Sequence, residues 1–285
     1  MTEMDLAFIQ QFILQRTGIL LTPEKRYLVE TRLDPVIRSF QLPSLAALAT
    51  KLKLGDKPLE TAVIDAITTN ETLFFRDKLP FELFQNVMLP RLIAARKNTG
   101  RIRIWCAACS TGQEPYSLSM IIDEMKTQLT GITVEILATD ISEKVLQLAK
   151  NGVYSQFEVQ RGLPIRMLMK HFKQVGTRWQ IDPAMGERIQ YRSLNLLQPF
   201  KALGPFDIIL CRNVLIYFGE ATKRDVLDRL GDVLAPDGYL MLGGAETVLG
   251  LSKTLSPHRT ERSLYVHTNS PEAHSVNFAR TRLSA

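Results

Sequence analysis

The stretch Arg101 to Asp140, with IWCAACSTGQEPYS (104–117) at its centre, decides the fold. Ile102, Ile104 and Cys106 alternate with Arg101, Arg103 and Trp105, the period of a strand, and polar Ser110-Thr111-Gly112 stops the run. Gln113-Glu114-Pro115 then opens a helix, with the proline in a first turn that has no use for its missing N–H. Leu118, Ile121, Ile122 and Met125 follow at helical spacing, and a second apolar strand, Val134 to Ala138, ends in Thr139-Asp140. Strand, tight turn, helix, then strand with an acidic end is half of a doubly wound nucleotide fold. There the ligand lies outside the carboxyl ends of the strands, and the second strand's acid can bond ribose hydroxyls. Gly112 is the only glycine between Arg101 and Gly131, so no dinucleotide fingerprint is present. One glycine suits a cofactor without a pyrophosphate, such as S-adenosylmethionine with its ribose, adenine and amino-acid end. An α/β unit with no ligand fits the same stretch.

At 285 residues the chain can bury a sizeable core in one or two domains. Its 45% hydrophobic and 22% charged composition is that of a soluble globular protein. MTEMDLAF lacks the basic start and apolar core of a signal peptide, and no apolar run approaches ~18 residues. A cytoplasmic location without membrane insertion is expected. Three cysteines, two of them in one Cys-x-x-Cys, cannot build a disulfide framework. The net charge of +6 points to an acidic partner: nucleic acid, an anionic membrane or an acidic protein.

The chain opens helical, with Leu6, Ile9, Phe12 and Ile13 recurring at three and four. Thr22-Pro23-Glu24 signals a second helix with Thr22 as cap, whose stripe is Val29, Leu33, Val36, Ile37 and Phe40, and Pro35 should kink or split it. Lys25 and Arg32 lie one above the other at the stripe's edge. Leu42–Leu54 and Leu59–Ile67 read as two more helices, so residues 1–68 form a helical N-terminal domain without strands. From Gln10 to Lys57 it carries eight basic residues against four acidic, which is either a docking face or a solvated surface. TTNETLFFR (68–76) reads as a helix start capped by Thr69 or Asn70, or as the lining of a cleft at a junction, with 69–76 as linker. Residues 77–268 form the α/β domain. Ser142 caps a helix to Lys150. Gly152 to Arg188 is too long for a simple connection and should hold a small inserted subdomain, around 156–188. Pro205–Cys211 is a buried strand followed by Arg212-Asn213. Glu220–Leu234 is an amphipathic helix, Pro236-Asp237-Gly238 a turn, and Tyr239–Leu242 and Ser263–His267 strands. Residues 269–285 lack apolar periodicity and read as a disordered tail.

TTNETLFFR, IWCAACSTGQEPYS, LATD (137–140), SLNLL (193–197) and CRNVLIYF (211–218), in this order and spacing, resemble the CheR-type chemotaxis receptor methyltransferases. The resemblance covers nearly the whole chain to about residue 268. It implies a Rossmann-like, doubly wound S-adenosylmethionine-dependent methyltransferase domain behind a small all-helical domain. It further implies methyl transfer from S-adenosylmethionine to glutamate side chains of chemoreceptor cytoplasmic domains, leaving S-adenosylhomocysteine, by a monomeric enzyme using neither metal nor nucleic acid. Carried over by position, Asn70, Thr72 and Arg76 contact the cofactor from the linker, Glu114 from the first helical turn and Asp140 from the second strand. Asn195, Leu196, Arg212 and Asn213 complete that pocket, and Tyr217 lies near the reacting methyl group.

A substrate glutamate, with a pKa of ~4.3, is already ionised at pH 7, so alignment is the main task left to the protein. Asp140 suits bidentate bonding to the ribose diol, Arg76 suits the cofactor's carboxylate and is assigned with Tyr217 to catalysis, and Tyr217 could orient the incoming glutamate. Taken alone, Asp140 could merely cap the next helix, Arg76 join a surface pair and Tyr217 fill core. Lys25, Arg26 and Arg32 are the expected electrostatic contacts for receptor. In such families the inserted region can carry a β-subdomain that grips a receptor peptide, which nothing in residues 156–200 reveals for this chain. Cys106 and Cys109 stand where the family commonly carries small residues. With no second pair and no ligand spacing among Cys211 and the histidines, they read as small apolar residues rather than metal ligands. Two other readings stay open: a nucleic-acid methyltransferase, although Cys211-Arg212-Asn213-Val214 is not the Asn/Asp-Pro-Pro-aromatic motif of many such enzymes, and a non-catalytic cofactor-binding adaptor.

Overall fold

The computed structural model describes residues 3–274. Four helices come first: α1 (Glu3–Thr17), α2 (Arg26–Ser39), α3 (Leu45–Lys53) and α4 (Lys57–Ile67). Their apolar stripes meet around Ile9, Ile13, Val29, Leu33, Leu48, Leu59 and Val63, all essentially without exposure. Ser44 caps α3 by accepting from Ala47 N–H, and Asp56 caps α4 by accepting from Leu59 N–H. The expected start of α2 shifts: Pro23–Lys25 forms a 3-10 turn and the α-helix begins at Arg26 without a side-chain cap. Pro35 does not split α2, because packing of Val29, Leu33 and Val36 against α4 and α3 outweighs the one hydrogen bond that proline forfeits.

Residues 68–78 form no helix start. Phe75, Asp77 and Lys78 have positive φ (50°, 69° and 50°), and the chain becomes helical again only at α5 (Leu79–Leu83), continuing through a π-turn into α6 (Leu89–Ala95). The cap signal at Thr69-Asn70 is overridden by tertiary contacts: Phe74 is fully buried and its ring packs edge-on to Tyr154, 5.0 Å away.

The α/β part follows as β1 (Arg101–Ala107), α7 (Gln113–Glu124), β2 (Thr133–Asp140) and α8 (Glu143–Asn151), the last capped by Ser142. Then come β3 (Val153–Ser155), α9 (Gln156–Gln160), α10 (Ile165–His171), β4 (Phe172–Val175), β5 (Arg178–Ile181) and β6 (Ile189–Ser193). β7 (Phe206–Cys211), α11 (Glu220–Val233), β8 (Leu234–Leu242), β9 (Leu255–Pro257) and β10 (Leu264–His267) complete the elements. Among the described residues the main sheet has seven strands in the order β6-β2-β1-β7-β8-β10-β9, parallel from β6 to β8, with β10 and β9 antiparallel at one edge. Its order reverses at β1, so β2 and β7 flank β1 and their carboxyl ends open one crevice.

Strand β1 buries both faces, as a central parallel strand must. Ile102, Ile104 and Cys106 point into one core layer and Trp105 and Ala107 into the other. The period-2 pattern therefore separated two buried faces rather than a buried face from a wet one. Residues 152–188 hold a three-stranded antiparallel sheet, β3-β5-β4, with α9 and α10. Three further expectations change. Pro236–Gly238 lies inside β8, where the pairing with β7 shifts register between Phe206 and Ile208. Strand β9 was not foreseen. Residues 269–274 are packed rather than disordered: Glu272 accepts from the Tyr239 hydroxyl (2.8 Å) and Ala273 bridges to His258. The remainder of the expected tail, 275–285, lies outside the described residues.

Candidate active site

The turn after β1 is built tightly. Ala108 and Ser110 adopt left-handed backbone conformations (φ 65° and 51°), and Gly112 has φ 93°. A Cβ on Gly112 would lie 2.9 Å from Ala149 Cβ, so glycine is required both for the turn and for the approach of α8. Non-glycine residues in such conformations cost of order 1–3 kcal/mol and concentrate at binding sites.

This turn, the end of β2 and the turn after β7 enclose one cleft beneath the 68–76 linker. Asn70, Thr72, Arg76, Glu114, Asp140, Asn195, Leu196, Arg212, Asn213 and Tyr217 all line it, although they come from five separate chain segments. Asp140, 6% exposed, accepts from Ser110 N–H on Oδ2 (2.9 Å) and from Ser142 N–H on Oδ1 (3.0 Å). Ile141 N–H is a further backbone donor to this carboxylate, whose four lone pairs still leave acceptor capacity at the cleft. Burial pushes the Asp140 carboxyl above its ordinary range, against the lowering effect of those backbone donors. The bond that Asp140 makes to the start of α8 therefore coexists with spare acceptor capacity at the cleft.

Glu114 and Arg212 form a buried pair (Arg212 Nη1 to Glu114 Oε2, 2.9 Å), and Arg212 Nη2 also reaches Asp77 Oδ2 (2.7 Å) and the Arg76 carbonyl (2.9 Å). Burial raises the Glu114 carboxyl, with Arg212 opposing it. Arg212 thus clamps the linker to α7, and its side chain is only 2% exposed. Arg76 spends one donor on the Glu71 carbonyl (2.9 Å). Asn195 lines the cleft, but its amide is engaged: Nδ2 donates to the Arg16 carbonyl of α1 (2.7 Å) and Oδ1 accepts from Leu197 N–H. The Tyr217 hydroxyl lines the cleft and has no hydrogen-bond partner among the described residues.

The helical part contributes to the same cleft through Thr17 and Ile19, which sequence did not single out. Ile19 bridges Phe218, and Leu20 N–H donates to the Tyr217 carbonyl (2.9 Å). No local pattern could have announced these contacts, since α1 and Tyr217 are some 200 positions apart.

The three docking candidates separate. Lys25 and Arg26 are exposed, Arg26 pairing with Glu30 one turn on (2.9 Å). Arg32 instead donates to the Ile67 carbonyl (2.6 Å) and Thr69 Oγ1 (2.9 Å), tying α2 to the linker. It is a structural tie first and a surface charge second. Cys106 and Cys109 are buried beside the cleft, and burial drives both thiols well above their ordinary range. Both side chains pack within the apolar core between the sheet and its helices. Asp123, Glu124 and His171 do bring ligand-type atoms within 4.8 Å of one another, a grouping that sequence spacing hid. The Lys170 ammonium already bonds both carboxylates there, 2.7 Å from Asp123.

The chain is similar to known proteins over most of its length. A family profile described as "CheR methyltransferase, SAM binding domain" matches residues 70–263, and one described as "CheR methyltransferase, all-alpha domain" matches residues 4–68. Chemotaxis protein methyltransferase 1 of Pseudomonas aeruginosa is 44% identical over 251 residues, 87% of this chain and 91% of that protein. Chemotaxis protein methyltransferase Cher2 of Pseudomonas putida is 42% identical, covering 87% and 92%. A chemotaxis protein methyltransferase of Borreliella burgdorferi is 32% identical, covering 87% and 90%. The residues at the cleft suit S-adenosylmethionine, the cofactor of that family: a buried carboxylate at the end of β2, a single-glycine turn and the Arg76 guanidinium all line it. The chain belongs to the CheR methyltransferase family.

Proposed function

We propose that this chain transfers a methyl group from S-adenosylmethionine to glutamate side chains of chemoreceptor cytoplasmic domains, forming methyl esters in chemotactic adaptation. The observation that supports it most is the convergence of ten residues from five segments on one cleft at the switch point of the sheet. The bound cofactor supplies a methyl group activated by a positive sulfonium. Asp140 holds the ribose, Arg76 meets the cofactor's carboxylate, and Asn70, Thr72, Glu114, Leu196 and Asn213 shape the rest of the pocket. Arg212 and Asn195 act by holding that pocket together. Tyr217 orients the incoming carboxylate through its free hydroxyl. No general base is needed, because a glutamate is ionised at neutral pH, and alignment alone can supply several kcal/mol.

Residues 1–68 form the docking unit, 69–76 the roof of the cleft and 77–268 the transferase unit. The protein works in the cytoplasm as a monomer, without metal or nucleic acid. Labelled S-adenosylmethionine incubated with chemoreceptor-containing membranes tests the reading. Label should enter receptor glutamates and leave under mild alkali, as methyl esters do. Cofactor binding without transfer would make the chain an adaptor, and alkali-stable label on nucleic acid would move it to another substrate class.

A further inference from the structure

Glu246 follows β8 in the turn Gly243-Gly244-Ala245-Glu246, and no sequence motif drew attention to it. Its carboxylate, 9% exposed, collects four backbone donors. Oε2 accepts from Asn213 N–H (2.8 Å) and Gly243 N–H (2.7 Å), while Oε1 accepts from Val214 N–H (3.0 Å) and Ile216 N–H (3.3 Å). It has no basic side-chain partner among the described residues. The acid is itself anchored, since the Tyr265 hydroxyl of β10 donates to its carbonyl (3.2 Å). All four lone-pair positions of the carboxylate are therefore filled by amide donors, three of them from one turn.

That turn leaves β7 through Asn213, whose left-handed φ of 57° is uncommon outside glycine, and ends in the 3-10 segment Leu215–Tyr217. Charge-assisted bonds to three of its N–H groups can hold it in that conformation. Gly243 makes room for the contact: a Cβ there would lie 2.7 Å from Glu246 Oε2 and 2.8 Å from Asn213 Nδ2. We infer that Glu246 is a positioning residue for methyl transfer, fixing the 213–217 turn so that Tyr217 presents its hydroxyl at the point of reaction. The inference rests on the proposed role of Tyr217.

A double-mutant cycle separates the two. Glu246→Gln keeps the size but turns an N–H₂ donor toward N–H donors, so turnover should fall at least ~10-fold with S-adenosylhomocysteine affinity in calorimetry changed less. Tyr217→Phe alone should also lower turnover, and adding Glu246→Gln to it should cost under about twofold more, because the acid acts through the tyrosine. Full activity of Tyr217→Phe would overturn the role of the tyrosine and the inference with it. A normal loss in Tyr217→Phe combined with multiplicative losses in the double variant would overturn the inference alone. Should Glu246→Gln fail to fold, Gly243→Ala disturbs the same contact while keeping the carboxylate. It should lower turnover about threefold in the wild-type background and not in Tyr217→Phe, and wild-type turnover in the folded Gly243→Ala protein would overturn the inference.

Discussion

Beneath the linker, Arg212 bonds Glu114, Asp77 and a carbonyl from a side chain 2% exposed, whereas on α2 Arg26 pairs with Glu30 and both are about half exposed (48% and 50%). The two arginines carry the same charge in different dielectric surroundings. At the surface an isolated pair is typically worth under about 1 kcal/mol and is screened by salt. In the buried Arg212–Glu114 pair each charge is tolerable only because the other is present, so removing Arg212 leaves Glu114 desolvated and alone, while half-exposed Asp77 keeps its water. The cleft should therefore respond to mutation as a unit, and the α2 face charge by charge.

Arg212→Ala is the hardest blow to that contrast. It should cost about 3–5 kcal/mol in denaturant unfolding, with Glu114 left buried without its cation. A loss below about 1 kcal/mol would put Arg212 in the same class as Arg26.

Asp140→Ala comes next. It should weaken S-adenosylhomocysteine binding in calorimetry at least ~10-fold, about 1.4 kcal/mol. Burial holds the Asp140 carboxyl above the ordinary aspartate range, so on acidification it takes up a proton before an exposed aspartate would. Its acceptors are present above that raised value and lost as pH falls through it, so wild-type affinity should decline there and Asp140→Asn should lose that decline. Unchanged affinity in folded Asp140→Ala would remove the residue from the site.

The α2 face should give the smallest effects and divide in two. Lys25→Glu/Arg26→Glu should raise the apparent KM for receptor a few-fold at about 50 mM salt and nearly not at all at 300 mM, with cofactor affinity unchanged. Arg32→Ala should instead loosen the linker and weaken cofactor binding in a way that added salt does not erase, because it loses bonds to the Ile67 carbonyl and Thr69. Salt-sensitive behaviour of Arg32→Ala matching that of the double variant would return Arg32 to the docking surface.

By itself, the sequence determined the elements whose signals are local. The strand-turn-helix from Arg101 to Glu124 follows from alternation, one glycine and a first-turn proline, and the capped starts at Ser142 and the acidic end of β2 are equally short-range. The ordered set of motifs also carried the family and ten of the residues that line the cleft, but not Thr17 or Ile19. Tertiary structure decided what those residues are free to do. Asn195 spends its amide on α1, Arg32 on the linker and Arg212 on two acids from distant segments, while Glu246 gathers a turn 33 positions away. The expected helix start at 69–70 gave way for the same reason, since burying Phe74 was worth more than a cap. Capping and periodicity act over a few residues along the chain. Buried polar groups must find partners wherever the fold brings donors and acceptors together, and only the folded chain defines those distances.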